Sequence, residues 1–131
     1  MTDLPFSLDE HLSRQARLRA ALRERGFDAM LVFAQESHFW LTGYDTGGYV
    51  FFQCAVVTAE ERPITLLTRR PDLLQARQTS TIEDIRIWWD SEEANPAADL
   101  KVILAELGLA GKRVAVELNT HGLTGWNLWR L

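Results

Sequence analysis

The sequence predicts a three-layer α/β domain, with a mixed β-sheet in the centre and helices packed on its faces. Three observations carry that prediction. Short apolar runs of strand character alternate with segments of helical periodicity along the whole chain. The helical segments carry residues suited to starting and stopping a helix. The run Phe27–Ala34 is apolar at every position but Asp28, as a strand covered on both faces requires.

Each element has its own reason. Ser7-Leu8-Asp9-Glu10 has the spacing of a capping box, in which a hydroxyl and a carboxylate satisfy free amides at a helix start. Leu8, Leu12, Ala16, Leu18 and Leu22 then recur on one face, and Gly26 is placed to end the helix. Phe27–Ala34 is the first strand, and Glu36–Leu41 gives one short helical turn. Tyr49–Thr58 and Ile64–Thr68 read as paired strands joined across Glu60-Glu61-Arg62-Pro63. Pro71 sits where a helix can begin, and Asp72–Gln78 supplies its turns. Ile82–Trp89 sets Ile85 and Ile87 against Asp84 and Arg86, the pattern of a half-exposed strand.

Asn95-Pro96 places a cap before a proline at the first helical position. Leu100, Ile103, Leu104 and Leu107 form that helix's buried face, and Gly108 and Gly111 close it. Arg113–Leu118 is a last strand, with Val114, Val116 and Leu118 on one side, and Leu123–Leu131 begins a final helix. The expected order is α-β-α-β-β-α-β-α-β-α, with no repeat, low-complexity segment or internal linker.

Between the first two strands lies the most distinctive stretch, Ser37–Tyr49. It combines aromatic residues with Gly43, Gly47 and Gly48. Bulky rings beside glycine make a loop shaped by packing that still allows close backbone approach. Its glycines precede a strand, whereas phosphate loops run from a strand into a helix amino terminus, so phosphate binding is not indicated.

Composition narrows the function classes. At 131 residues, 47% hydrophobic and 24% charged, the chain suits one globular domain. The net charge is −4, and the 14 basic residues form no strip apart from the first helix, so nucleic acid is a poor partner. A single cysteine rules out an internal disulfide. Asp3, Asp9 and Glu10 stand where a signal peptide needs basic and then apolar residues, and no segment approaches the roughly 20 apolar residues of a membrane span. A cytoplasmic protein with no membrane contact is expected.

Catalytic chemistry is harder to find. His11, His38, His121 and Cys54 fall into no metal-ligand spacing, so no metal site is expected in this chain. Asp90, Glu92 and Glu93 read as a solvated loop. Cys54 lies inside an apolar strand, where a thiol acts as a small hydrophobe. Ser37 beside His38 is adjacency along the chain, not a dyad, and no Gly-x-Ser-x-Gly elbow exists.

Other residues point to contacts. Arg19 and Arg23 fall in or beside the apolar arc of the first helix, and two readings stay open. Either their stems cover the sheet edge, or they belong to a subunit interface. Trp88 and Trp89 are neighbours on one strand and face opposite ways, so one of them is exposed or lies under a partner. Arg19, Arg23, Trp88 and Trp89 are therefore the interface candidates. Trp126, Leu128, Trp129 and Leu131 gather apolar surface at the terminus, which suggests a piece of something longer.

Gly26-Phe-Asp-Ala-Met-Leu-Val-Phe33, Phe39-Trp-Leu-Thr-Gly-Tyr44 and the strand pair that follows resemble the amino-terminal domain of creatinase, prolidase and aminopeptidase P. The first helix, Ile64–Thr68, the Pro71 helix and Lys112-Arg-Val-Ala-Val-Glu117 fall in the family's order, so the resemblance covers nearly the whole chain. Trp40-Leu-Thr-Gly-Tyr-Asp45, with Gln53-Cys54 downstream, is most similar to the ectoine-hydrolase-like branch.

The resemblance implies that residues 1–131 form a non-catalytic amino-terminal domain, shortened at its carboxyl end, of an M24-type hydrolase. The family's catalytic pita-bread domain carries a divalent metal pair in peptidase members, held by two aspartates, a histidine and two glutamates. Creatinase itself works without metal. Counterparts of those groups are absent here. The implied partners are a second subunit, forming a homodimer, and a small amide or dipeptide substrate. The family's substrate-proximal loop maps onto Tyr44, Asp45, Thr46 and Tyr49, which sets the expectation that Tyr44 affects substrate handling more than stability. The competing expectation is a free-standing domain that binds a small ligand or another protein, with no hydrolase attached.

Overall fold

A computed structural model describes residues 2–131. The elements are α1 (Leu8–Glu24), β1 (Ala29–Val32), α2 (Gln35–Thr42), β2 (Cys54–Thr58), β3 (Thr65–Arg69), α3 (Leu73–Thr79), β4 (Asp84–Trp88), α4 (Pro96–Glu106), β5 (Val114–Val116) and α5 (Gly125–Arg130). Their order is the one the periodicities predict. A single 3-10 turn, Arg70–Asp72, leads into α3 and carries Pro71.

The sheet runs β4-β3-β2-β1-β5. β1 pairs parallel with β5, β3 parallel with β4, and β2 antiparallel with both of its neighbours. Four strands therefore point one way, and β2 alone runs back between them. This mixed sheet puts the carboxyl ends of β1, β3, β4 and β5 on one rim.

Strand pleating separates two cores. Ala29, Leu31, Cys54, Val56, Leu67 and Trp88 face Ala97, Leu100 and Ile103 of α4. Val32, Ala55, Val57 and Leu66 face the opposite layer, with Leu41 of α2, Ala76 of α3 and Leu18 of α1. Side chains on adjacent strand positions point to opposite faces, so the central strands carry apolar residues on both faces, with threonines at Thr58, Thr65 and Thr68. β2 is buried at all its positions.

Local chemistry sets the boundaries. The Ser7 hydroxyl accepts from the Glu10 amide at 3.2 Å, as a capping box requires. The reciprocal half does not form, because the Glu10 carboxylate turns outward to Arg14 Nε at 2.9 Å. Asn95 Oδ1 caps α4 by accepting from Ala98 N at 3.1 Å, and Thr124 Oγ1 caps α5 through Asn127 N at 3.2 Å. β2 is shorter than the apolar run suggests: residues 49–53 leave the ladder, with Phe51 N donating to Gly48 O at 2.9 Å in a tight turn.

Arg19 and Arg23 of α1 are tied within the chain. Arg19 Nε donates to Thr58 O at 3.2 Å and its Nη2 to Arg62 O at 2.6 Å. Arg23 Nη1 donates to Ala59 O at 2.6 Å. Both clamp α1 onto the β2–β3 turn, so their polar ends satisfy carbonyls that the turn leaves open. Trp88 is buried and donates its indole N–H to Phe52 O at 2.9 Å, which leaves Trp89 as the exposed member of the pair, at 66%. No helix among the described residues is long and apolar enough to cross a membrane.

The two-core arrangement makes a direct prediction. Leu100 is fully buried on the inner face of α4, so Leu100→Ala should cost about 2–5 kcal/mol in urea unfolding. Trp89→Ala should stay within about 0.5 kcal/mol of the parent chain.

Candidate functional site

The rim at the carboxyl ends of β1, β3, β4 and β5 collects the chain's distinctive residues, and the loop 43–53 lies across it. Open α/β sheets characteristically bind ligands at this edge. The loop opens at Gly43, which closes α2 with φ at 83°. A Cβ there would also come within 2.7 Å of Thr79 O.

Beneath the loop lies a buried polar network. The Tyr44 hydroxyl donates to Gln53 Oε1 at 2.6 Å and lies 3.1 Å from Thr68 Oγ1. Gln53 Nε2 donates to Gly48 O at 3.0 Å and to Asp72 Oδ2 at 3.2 Å. Arg69 Nε reaches the same Asp72 oxygen at 3.2 Å. Burial, partly offset by the Thr46 and Thr68 hydroxyls, pushes the Tyr44 hydroxyl above its usual pKa and keeps it a neutral donor.

His38 joins the network from α2. Its Nε2 lies 3.2 Å from Gln53 O; a carbonyl can only accept, so that nitrogen carries the proton. Its Nδ1 has no hydrogen-bond partner among the described residues. Burial, opposed by the Gln53 carbonyl and the Glu117 charge, lowers the His38 pKa from 6.5 to about 4.

Glu117, just past β5, anchors the other side of the rim. Its Oε1 accepts from Phe33 N at 2.9 Å and Ala34 N at 3.0 Å, and its Oε2 from Ser37 Oγ at 2.7 Å. Phe33 and Ala34 are the two residues just before α2, so this carboxylate ties the end of β1 to the start of the helix and also holds the Ser37 side chain.

Above this network the loop tip is apolar. Tyr49 is 46% exposed, Val50 52% and Phe51 37%. The Arg69 guanidinium sits 3.6 Å over the Phe51 ring and 3.7 Å from Asp90 Oδ2. Tyr49 packs edge-on against His121 at 6.3 Å. An open groove of about 490 Å³ runs past Tyr49 between α2 and the 118–121 loop, lined also by Gln35, Glu36, Asn119 and His121.

The four loop residues singled out by sequence divide into two pairs. Asp45 and Tyr49 are exposed, whereas Tyr44 and Thr46 are buried. Tyr44 thus belongs to the buried base of the loop, where its hydroxyl also serves the fold. Gln53, Asp72, Arg69 and Glu117 escaped sequence reasoning. Gln53 had a signal, since it is the lone polar residue inside Tyr49–Val57, and a buried amide there must find partners.

No catalytic set assembles from these residues. Ser37 gives its hydroxyl to Glu117 and His38 turns inward to Gln53 O, so the neighbours make no dyad. Burial raises the Cys54 thiol pKa well above its ordinary value, which disfavours the nucleophilic thiolate. Among the described residues, no three His, Cys, Asp or Glu side chains are grouped to hold a metal ion. Among the described residues the divalent pair implied by the resemblance thus finds no donor set.

The chain belongs to the Creatinase/Prolidase N-terminal domain family, whose profile matches residues 14–128. Among curated relatives, it is 31% identical over 61 residues to the ectoine hydrolase of Halomonas elongata, covering 47% of this chain and 15% of that one. Its fold matches a dipeptidase from Pyrococcus horikoshii OT3 with a TM-score of 0.70 at 25% identity, covering 92% of this chain and 30% of that chain. A proline dipeptidase from Streptococcus pneumoniae gives 0.72 at 22% identity, covering 89% and 81% respectively. The N-terminal domain of the cytoplasmic peptidase PepQ from Mycobacterium tuberculosis gives 0.58 at 20% identity, with 91% and 98% covered. The chain thus spans 15% of the length of the ectoine hydrolase and 30% of that of the Pyrococcus dipeptidase.

Two measurements probe the network. The folded chain keeps His38 neutral at pH values where the unfolded chain protonates it. Its contribution is complete above pH 6.5 and is lost as pH falls towards 4, a change of about 3 kcal/mol. His38→Gln should flatten that part of the stability–pH curve in thermal melts. Tyr44→Phe leaves Gln53 Oε1 without its donor and should cost about 1–3 kcal/mol.

Proposed function

We propose that this chain is the non-catalytic amino-terminal domain of an M24-type hydrolase that cleaves amide or peptide C–N bonds, in the manner of Xaa-Pro dipeptidases, aminopeptidase P or creatinase-like enzymes. Its role is to build a homodimer and to wall the substrate pocket. A catalytic domain elsewhere in the complete protein supplies the reacting groups, with a divalent metal pair if the activity is peptidase-like. The substrate is a small amide or dipeptide, and the protein works in the cytoplasm, as the PepQ relative's description says of that peptidase.

One observation carries this reading: a tightly anchored loop presents an exposed apolar tip at Tyr49, Val50 and Phe51, while no cluster of side chains among the described residues is grouped to hold a metal ion. A rigid aromatic tip suits closing over a ligand, because little side-chain freedom is lost on contact. Trp89 and Phe51 stand on the same rim, where a second subunit can cover them. The rival reading, a free-standing binding domain, draws on the groove beside Tyr49, whose volume is within the range of small-ligand sites.

Kinetics on the complete gene product test the proposal, with Leu-Pro, creatine and ectoine as substrates and divalent metal supplied. Tyr49→Ala should raise KM about tenfold with an unchanged melting temperature. Trp89→Ala should weaken the dimer at least about tenfold in sedimentation equilibrium. Turnover of none of these compounds by a protein with no second domain would favour the rival. Unchanged KM and unchanged sedimentation in the variants would remove both assigned roles.

A further inference from the structure

Gln53 touches more of the loop than any side chain on the loop's own surface. Its amide oxygen holds the Tyr44 hydroxyl at 2.6 Å, its amide nitrogen holds Gly48 O at 3.0 Å and Asp72 Oδ2 at 3.2 Å, and its main-chain oxygen holds His38 Nε2 at 3.2 Å. The loop's first residue, its midpoint, α2 and the start of α3 therefore converge on one residue that is 2% exposed. The loop backbone moulds itself to that amide. A Cβ on Gly48 would lie 2.6 Å from Gln53 Nε2 and 2.8 Å from Asp72 Oδ2, so only glycine lets the chain come this close.

The donor and acceptor pattern admits one side chain. Gly48 O and the Asp72 carboxylate only accept, so they require two N–H donors on the same atom. The Tyr44 hydroxyl requires an acceptor on the other. An amide of glutamine length meets all three demands; a glutamate carboxylate meets one, and a methionine meets none. We propose that Gln53 is the positioning residue for the substrate-facing loop, setting where Tyr49, Val50 and Phe51 stand relative to a bound substrate without touching it. This deepens the pocket-wall role and rests on that reading.

Gln53→Glu replaces the double donor with a carboxylate facing Asp72. Gln53→Glu combined with Asp72→Asn moves the donor to the other partner and restores the contact between them. The first readout is amide hydrogen exchange in the 131-residue chain. Gln53→Glu should speed exchange across residues 44–52 at least tenfold while α4 stays protected, and the double variant should recover at least threefold of that. The second readout is kinetics of the complete gene product on whichever of Leu-Pro, creatine or ectoine the parent protein turns over. There Gln53→Glu should raise KM about tenfold and leave kcat within about twofold, with partial return in the double variant.

Unchanged exchange in the loop overturns the proposal, and so does exchange that rises equally throughout the chain. A fall in kcat with KM unchanged overturns it as well. If the parent protein turns over none of the three compounds, the hydrolase reading fails, while the exchange experiment still decides whether Gln53 holds the loop.

Discussion

The structure depends on satisfying polar groups where the chain leaves its sheet and turns back through the interior. A loop of this length brings backbone carbonyls and hydroxyls down against an apolar core, where an unpaired group costs about 1–3 kcal/mol. Gln53, Asp72, Arg69, Tyr44 and His38 remove most of that cost together. Such a network is stiff because its members depend on one another. The rigid part of the molecule therefore reaches the rim, and the apolar tip stands on a fixed base.

The same economy governs the helix that precedes the loop. α2 begins at a residue with no capping side chain. Glu117 comes from far along the chain to bind the amides of Phe33 and Ala34, just before the helix, and the Ser37 hydroxyl within it. One carboxylate thus joins β1, β5 and α2, and registers the edge of the sheet against the helix carrying His38. The Arg19 and Arg23 contacts do comparable work at the opposite end, where they fasten α1 to the β2–β3 turn. Long-range side-chain bonds to main-chain atoms hold both ends of the β1–β2 pair.

The order and type of the elements were legible because each strand and helix has its own periodicity and end signals. Asn95-Pro96 and Ser7 announced helix starts that the structure contains. The β2 boundary was not legible, since Tyr49–Phe52 reads like strand and only the Gly48 turn and the Gln53 tether pull it away. The site was legible in part. Its location followed from aromatic residues set among glycines, but which rings face inward depends on contacts far apart in sequence. Tyr44 and Tyr49 look alike in the sequence; Thr68 and Gln53 bury the first, whereas the second, packed edge-on against His121, keeps 46% of its surface exposed. The Glu117 contacts could not be read at all, because 80 residues or more separate it from its partners.

The one thiol in the chain has a practical consequence. Cys54 sits fully buried in the middle strand with its side chain enclosed by the α4 core. Alkylating dyes and spin labels that need a reachable thiolate therefore pass over the native protein. A cysteine introduced at an exposed rim position would be the lone reachable attachment point on these 131 residues, so a label there reports on the rim alone.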